Sequence, residues 1–466
     1  MTEFDLIVIG AGAVGENVAD YAHKRGLSTA IVESELVGGE CSYWACMPSK
    51  ALLRSGHAVR AAQRLDGAKQ AVTGSIDPAA VFARRNSFTS DYKDDGQVSW
   101  LESADITLLR GHATITGPKT ISIDGETHTA RGAIAVATGS VHMLPDVPGL
   151  ADAAPWGTRE ATSAQSVPES LMVVGGGVAG SELATAYASF GTKVTLVARS
   201  GLLGSQEPFV GELVADSMRE LGIDVRVGVS PTRVDRDEHG LVTTTLDDGT
   251  TVVSSEILVA TGRTARTGDL GLENVGITPG DWLHVDDTML VEGTDWLYAV
   301  GDVNHRALLT HQGKYQARAA GEAIAARLQG TDLHTEPWGA HVATADHAAV
   351  PQVTFTDPEV ASVGLTEDAA RKQGLDVRAV EYDLGAIAGS ALQADGYTGR
   401  AKMVVDEDRK VVVGVTFVGQ DVAEMLQAAT VAVVGEVPID RLWHAVPAYP
   451  TMNEIWLRLL ETYGRP

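Results

Sequence analysis

Cysteine is almost missing from this chain: there are two in 466 residues, at positions 41 and 46. Two cannot build the disulfide framework of a secreted scaffold. They also cannot complete a four-ligand zinc site, because no C-x2-C or H-x3-H pattern stands nearby. Long apolar runs are missing too; none approaches the roughly 20 residues of a membrane span. Basic charge is scarce: 36 Lys and Arg face 61 Asp and Glu, a formal net charge of −25. That excess argues against a nucleic-acid partner, whose phosphates need Lys and Arg. It suits a solvated, soluble surface instead. The N-terminus, MTEFDLIVIGAG, carries acidic residues where a signal peptide needs basic ones. The expectation is a soluble, cytoplasmic chain with neither membrane nor nucleic acid as partner. A chain of this length exceeds one core and should form two to four domains.

Glycine is plentiful, and it is patterned. An apolar run from Asp5 to Ile9 leads into Gly10-Ala11-Gly12-Ala13-Val14-Gly15, a helix-like run to His23, and a second apolar run ending at Glu33. The same order returns later. Leu171–Val174 leads into Gly175, Gly177 and Gly180, a helix-like run to Phe190, and a strand-like run ending Ala198-Arg199-Ser200. Each is a Gly-x-Gly-x-x-Gly turn between strand and helix, the βαβ dinucleotide fingerprint. The glycines allow a tight turn and close approach to a pyrophosphate, which then meets the free N–H groups and dipole of the helix start. The strand ends differ. Glu33, 18 residues past Gly15, can accept hydrogen bonds from ribose hydroxyls. Arg199 stands where no acid does, which tolerates a 2′-phosphate and can pair with it. The first unit should hold a dinucleotide without that phosphate. The second should prefer NADPH, with NADH as the alternative.

Residues 38–50 read GGECSYWACMPSK. In a regular helix, residues five apart have Cα atoms roughly 8.7 Å apart, whereas a disulfide needs less than about 7 Å. If Cys41 and Cys46 bond, Cys41 must therefore leave the helix, in a loop or distorted turn that Gly38 and Gly39 permit. Pro48 suits the first turn of a helix. That places Cys46 near a helix N-terminus, where the dipole favours thiolate, with Lys50 one turn on. A nucleotide fingerprint, a close thiol pair and a second fingerprint make a relay. Nicotinamide hydride needs a carrier that hands electrons to sulfur, which implies a flavin. Two strand-like runs end alike, at Thr138-Gly139 and at Thr261-Gly262, and a third ends at Gly301-Asp302 ahead of a helical run from about His311 to Leu328. From about Val350 alternating strand runs (352–355, 401–406, 411–418) and two helical runs (421–434, 453–463) read as an α+β domain without a nucleotide signature.

The arrangement resembles the FAD-dependent pyridine nucleotide–disulfide oxidoreductases over essentially the whole chain. The Gly-Gly-x-Cys-x4-Cys-x-Pro-x-Lys segment carries most of the resemblance. The Thr-Gly strands, the Gly301-Asp302 turn, Leu309–Gly313 and the segment 351–367 add to it. The resemblance implies an α/β fold with two Rossmann-like dinucleotide-binding domains plus an α+β C-terminal dimerisation domain. The segments would run 1–150 for FAD, 151–262 for NAD(P), 263–345 for the return to the FAD domain and 346–466 for dimerisation, as a homodimer. It implies that Cys41 is the interchange thiol and Cys46 the thiolate facing the flavin. Lys50 would lie near the reactive flavin edge, paired with Glu182. Gly10, Gly12, Gly15, Glu33, Gly39, Thr138, Gly139, Asp302 and His311 would hold FAD, with Asp302 on its ribityl chain. Gly175, Gly177, Gly180, Arg199 and Gly262 would hold NADPH.

One departure stands out. Where the family's disulfide reductases carry His-Pro-Thr-x-x-Glu, this chain reads Tyr449-Pro-Thr-Met-Asn-Glu454. Histidine serves as acid–base partner of the interchange thiol; a tyrosine, titrating near about 10, is a poor shuttle at neutral pH. His444 is the nearest substitute, though a surface histidine is the plainer reading. The Tyr449–Glu454 pattern resembles mercuric reductase, but the sequence ends without the further cysteine pair of that branch. The aromatic pair Tyr43-Trp44 lies between the cysteines, as packing or as a narrow substrate mouth. The leading expectation is an NADPH-preferring flavoprotein that passes hydride equivalents to a Cys41–Cys46 disulfide and on to a small disulfide or other acceptor. The alternative is a flavin-centred reductase of quinones or metal ions. A non-catalytic redox sensor is the reading from another class.

Overall fold

The computed structural model describes residues 2–465. In chain order, β1 (Thr2–Ile9), α1 (Ala13–Lys24) and β2 (Thr29–Glu33) come first, then a one-turn α2 (Gly39–Tyr43) and α3 (Cys46–Gln63). β3 (Thr107–Arg110) and the long β4 (Glu126–Val136) follow. β5 (Ser170–Val174), α4 (Val178–Ser189), β6 (Lys193–Ala198), β7 (Asp224–Val227) and β8 (Glu256–Val259) form the second nucleotide-type set. Then come β9 (Leu297–Ala299) and α5 (Thr310–Gln329). The last strands are β10 (Pro351–Thr354), β11 (Glu359–Gly364), β12 (Val377–Asp383), β13 (Arg400–Asp406) and β14 (Val411–Gly419). Helices α6 (Leu426–Val434) and α7 (Glu454–Tyr463) close the chain. Other elements are named by range.

The chain forms two compact units. One comprises Met1–Pro48, Asn86–Met143 and Arg263–His347; the other comprises Ser49–Arg85, Leu144–Gly262 and Ala348–Pro466. In the first, the sheet runs β3-β2-β1-β4, all parallel. The hairpin of Ala113–Gly117 and Thr120–Ile123 extends it antiparallel, and β9 adds in parallel to the last residues of β4. β1 reads as an unbroken apolar run because parallel strands are covered on both faces. Leu6 and Val8 enter a core with Val18 and Ala22 of α1 and Ala320 and Ile324 of α5. Phe4, Ile7 and Ile9 enter the core on the other face with Ile115, Ile121 and Leu297. Strand order reverses between β1 and β4, so the ligand crevice of such a sheet opens at their carboxyl ends. Those ends are Gly10 and Ala137.

The second unit repeats the plan, with the parallel order β7-β6-β5-β8 and a reversal between β5 and β8. It adds a three-stranded antiparallel sheet of Pro231–Arg236, Val242–Leu246 and Thr251–Ser254. Its last part is a five-stranded antiparallel sheet in the order β10-β11-β14-β13-β12. The sequence pattern points to β10, β13, β14 and the closing helices, and it misses β11 and β12. β11 (EVASVG) is built largely of small or polar residues, and β12 (VRAVEYD) carries charge on its exposed face, so neither reads as a hydrophobic run. The helix expected from 421 begins as a 3-10 turn, Ala423–Met425, before α6. Among the described residues no helix is long and apolar enough to cross a membrane.

Leu6 is fully buried in the layer that carries the Gly10 turn. Leu6→Ala is expected to cost about 2–5 kcal/mol of stability, read as a lower denaturation midpoint in urea at unchanged slope.

Candidate active site

The two glycine turns are built alike. Gly10 follows β1 at φ +101°, and a Cβ there would lie 2.6 Å from the Ala137 carbonyl oxygen just past β4. Gly175 follows β5 at φ +121°, and a Cβ there would lie 2.3 Å from the Ala260 carbonyl oxygen just past β8. Gly15 and Gly180, in the first turns of α1 and α4, press onto the Gly10 and Gly175 carbonyls, where a Cβ would fall within about 2 Å. So Ala137-Thr138-Gly139 and Ala260-Thr261-Gly262 are the strand ends across which the two loops pass. Gly12 and Gly177 cap α1 and α4 without any side-chain cap, leaving first-turn N–H groups for an anion. Glu33 ends β2. Its carboxylate accepts the Ala11 N–H and the Glu35 N–H, each at 2.8 Å, which fixes the loop and leaves further lone pairs for hydroxyls. These residues fit a dinucleotide: a cradle with no room for a Cβ at Gly10, Gly15, Gly175 or Gly180, open helix N–H groups and a ribose-type acid. Arg199, past β6, is exposed and no acid accompanies it at that strand end.

The thiol segment closes on the first cradle. Gly38 and Gly39 both take the left-handed conformation, at φ +112° and +60°. The Gly38 N–H donates to the Ala11 carbonyl at 2.7 Å. A Cβ on Gly39 would lie 2.8 Å from Gly12 Cα. Cys41 lies in the short helix α2 rather than in the expected loop or distorted turn; the chain breaks instead after it, at Trp44-Ala45, where Trp44 has φ −134°. α3 then starts at Cys46 itself. Two separate helical turns thus bring together sulfurs that one regular helix would hold apart. Both residues are thiols, and Cys41 is hydrogen-bonded to Cys46. Tyr43 is core packing, its hydroxyl donating to the Val37 carbonyl at 3.0 Å. Trp44 is half-buried, its ring 5.5 Å from that of Tyr43 and 6.5 Å from that of Tyr92.

Thr310, at the start of α5, places its Oγ1 3.3 Å from Cys46 Sγ. Sequence reading passed over it, although it begins the helix that follows the Gly301-Asp302 turn. The hydrogen bond to Cys46, burial and the charge on Cys46 all push the Cys41 thiol well above the ordinary range. A hydrogen bond from Thr310 and the charge of Lys314 act the other way. Asp302 accepts the Ser140 hydroxyl at 2.5 Å, and Arg263 donates to Ser140 Oγ at 2.5 Å, so Asp302 is held rigidly beside Gly139. His311 is exposed on the first turn of α5.

In the second unit, Lys50 Nζ donates to Glu182 Oε2 at 2.7 Å. Glu182 is buried in α4, and its other oxygen accepts the Phe355 N–H at 2.9 Å. The Lys50 ammonium lies 5.1 Å from the Phe355 ring centroid. Phe355 is another residue that sequence reading did not single out. Tyr449 sits on the loop ahead of α7 with its side chain 76% exposed. Glu454 opens α7 and is buried; one oxygen accepts from Arg458 at 2.7 Å, and the other has no partner among the described residues. His444 is exposed.

Gly15→Val is expected to close the first cradle. The variant should purify with its visible flavin absorbance lost, while Gly180→Val should keep that absorbance and lose nicotinamide binding by fluorescence titration.

A family model described as pyridine nucleotide-disulphide oxidoreductase matches residues 4–330. The model of its dimerisation domain matches residues 350–459, which supports a homodimer. The chain is 30% identical over 458 residues to a mercuric reductase of Staphylococcus aureus, covering 97% of this chain and 81% of that protein. It is 33% identical over 471 residues to a dihydrolipoyl dehydrogenase of Chlorobaculum tepidum, covering 97% and 95%. The fold matches that of the HOCl-induced flavoprotein disulfide reductase RclA from Escherichia coli. The TM-score is 0.82 at 23% identity, covering 98% of this chain and 99% of that one. The duplicated cradles and the paired thiols are thus those of a chain that belongs to the pyridine nucleotide-disulphide oxidoreductases, NAD(P)H-dependent flavoenzymes that carry FAD.

Proposed function

We propose that this enzyme draws electrons from NADPH in preference to NADH and passes them through a Cys41–Cys46 disulfide to a small disulfide or another acceptor. The observation that carries this reading is the thiol pair itself: two hydrogen-bonded sulfurs, one at the first residue of α3 and within 3.3 Å of Thr310. FAD, when bound, relays the two electrons of the nicotinamide to sulfur. The disulfide takes up those two electrons and one proton, and its S–S bond breaks. The proton stays on Cys41, and Cys46 remains the thiolate, favoured by the helix start and by the Thr310 hydroxyl. Once Cys41 loses its proton to water, it attacks an acceptor disulfide, and one thiolate leaves. Cys46 then attacks the mixed disulfide, restores the Cys41–Cys46 bond and releases the second thiolate. Lys50, fixed by buried Glu182, acts in this reading at the hydride-receiving edge of the cofactor. Gly10, Gly12, Gly15, Glu33, Gly39, Thr138, Gly139, Asp302 and His311 hold FAD. Gly175, Gly177, Gly180, Arg199 and Gly262 hold the nicotinamide dinucleotide.

Preference for NADPH rests on the contrast between the strand ends. Glu33 would repel a 2′-phosphate, whereas exposed Arg199 offers it a fork of donors. A cleft of about 560 Å3 beside that strand end is lined by Ser200, Gly201 and Arg219. Arg199→Glu is expected to lower kcat/KM for NADPH about tenfold or more, as loss of a charged hydrogen bond does, and to leave NADH nearly unchanged. Equal losses with both nucleotides would contradict the assignment.

A second reading is favoured by the exposed Tyr449, which stands where the resemblance implies a histidine, and by the Glu454 oxygen that has no partner among the described residues. In it, quinones or metal ions take electrons at the flavin, and Tyr449 binds rather than shuttles protons. The mercuric reductase relative makes mercuric ion one acceptor to try. Cys41→Ser separates the two. Turnover of lipoamide and glutathione disulfide is expected to vanish with flavin retained; full turnover of every accepted substrate would remove the disulfide route.

A further inference from the structure

Two charged residues beside the thiol pair have no place in the account so far. α5 sets Thr310 against Cys46, and Lys314 is four residues on, on the same face of that helix. Its charge acts on Cys41 and on Glu16 of α1. α1 and α5 pack closely here: a Cβ on Gly313 would fall 2.5 Å from Val14 Cγ2. Glu16 lies in the first turn of α1, half-buried, and its Oε1 is out of water with no partner among the described residues. Burial pushes its carboxyl up to about 7; Lys314 opposes the shift and Glu33 adds to it. The Lys314 charge thus bears both on a half-buried carboxyl and on the sulfur that must shed a proton, in a chain whose Tyr449 replaces the histidine expected for that task.

We propose that Lys314 is the cation that promotes ionisation of Cys41, and that Glu16 sets how much of that charge Cys41 feels. The inference rests on the reading of Cys41 as the reactive thiol. With Glu16 ionised, its negative charge offsets part of the Lys314 charge and Cys41 keeps its proton more firmly. With Glu16 protonated or absent, the full ammonium charge favours Cys41 thiolate. The other titratable groups facing the pair are Glu33 at the end of β2, Tyr43 on α2 and Cys46 at the start of α3; Thr310 adds a hydrogen bond. Lys314 and Glu16 set charge; neither is assigned a bond to substrate.

The test is the pH profile of iodoacetamide labelling of Cys41 in the flavin-bound enzyme, with the thiols kept reduced by a phosphine and the labelled sulfur identified by fragmentation mass spectrometry. Lys314→Met is expected to move the profile to higher pH and to slow labelling near neutrality by about three- to tenfold, with Lys314→Arg restoring it. Glu16→Gln is expected to move the profile the opposite way. Profiles of Lys314→Met and Glu16→Gln that overlie the unaltered enzyme overturn the proposal. If Lys314→Met does not retain flavin, Glu16→Gln alone decides, since an unmoved profile there is equally fatal. Cys41 unlabelled in every variant at every pH would instead sink the reactive-thiol reading, and this inference with it.

Discussion

The site depends on a constraint of helix geometry. Sulfurs five residues apart in one regular helix cannot meet, so the chain ends α2 at Tyr43, breaks at Trp44-Ala45 and starts α3 at Cys46. The break does two things at once. It turns Cys41 and Cys46 toward each other, and it puts Cys46 at a fresh helix start, where unpaired N–H groups favour negative charge. Tyr43 anchors the end of α2 in the core, and Gly38 and Gly39 supply the left-handed turns that bring α2 against Gly12. Redox segment and nucleotide loop are therefore one assembly, joined where Gly39 has no room for a side chain against Gly12.

The same economy of space appears in both nucleotide turns. Gly10 under Ala137 and Gly175 under Ala260 are superposable solutions to one steric problem: a loop crossing the end of a neighbouring parallel strand. The two turns differ in the charge at the strand end that follows each. Glu33 is tied down by the Ala11 and Glu35 N–H groups, so its charge stays beside the first cradle. Arg199 is exposed beside the second.

Charge around the sulfurs is arranged in layers. Thr310 meets Cys46 directly, Lys314 stands one turn behind it, and Glu16 stands on α1 with an oxygen unpartnered among the described residues. In the other unit Glu182 spends both oxygens, on Lys50 and on the Phe355 N–H, which leaves Lys50 a fixed rather than a wandering cation. Tyr449, on the loop ahead of α7, faces solvent in the single chain.

The local sequence by itself determined the βαβ repeats, the glycine turns, the distinction between Glu33 and Arg199, and the closeness of the two cysteines. Each of these is a short-range matter of periodicity, φ and spacing, which a linear text records. It left out β11 and β12, whose residues become strands only because neighbours in the sheet bury one face. It also passed over Thr310 and Phe355, because each meets its partner, Cys46 or Glu182, from far away along the chain. Only the tertiary structure decided which charges stand beside the sulfurs, since electrostatic neighbours are set by packing of α1, α2 and α5 and by no pattern within any one of them.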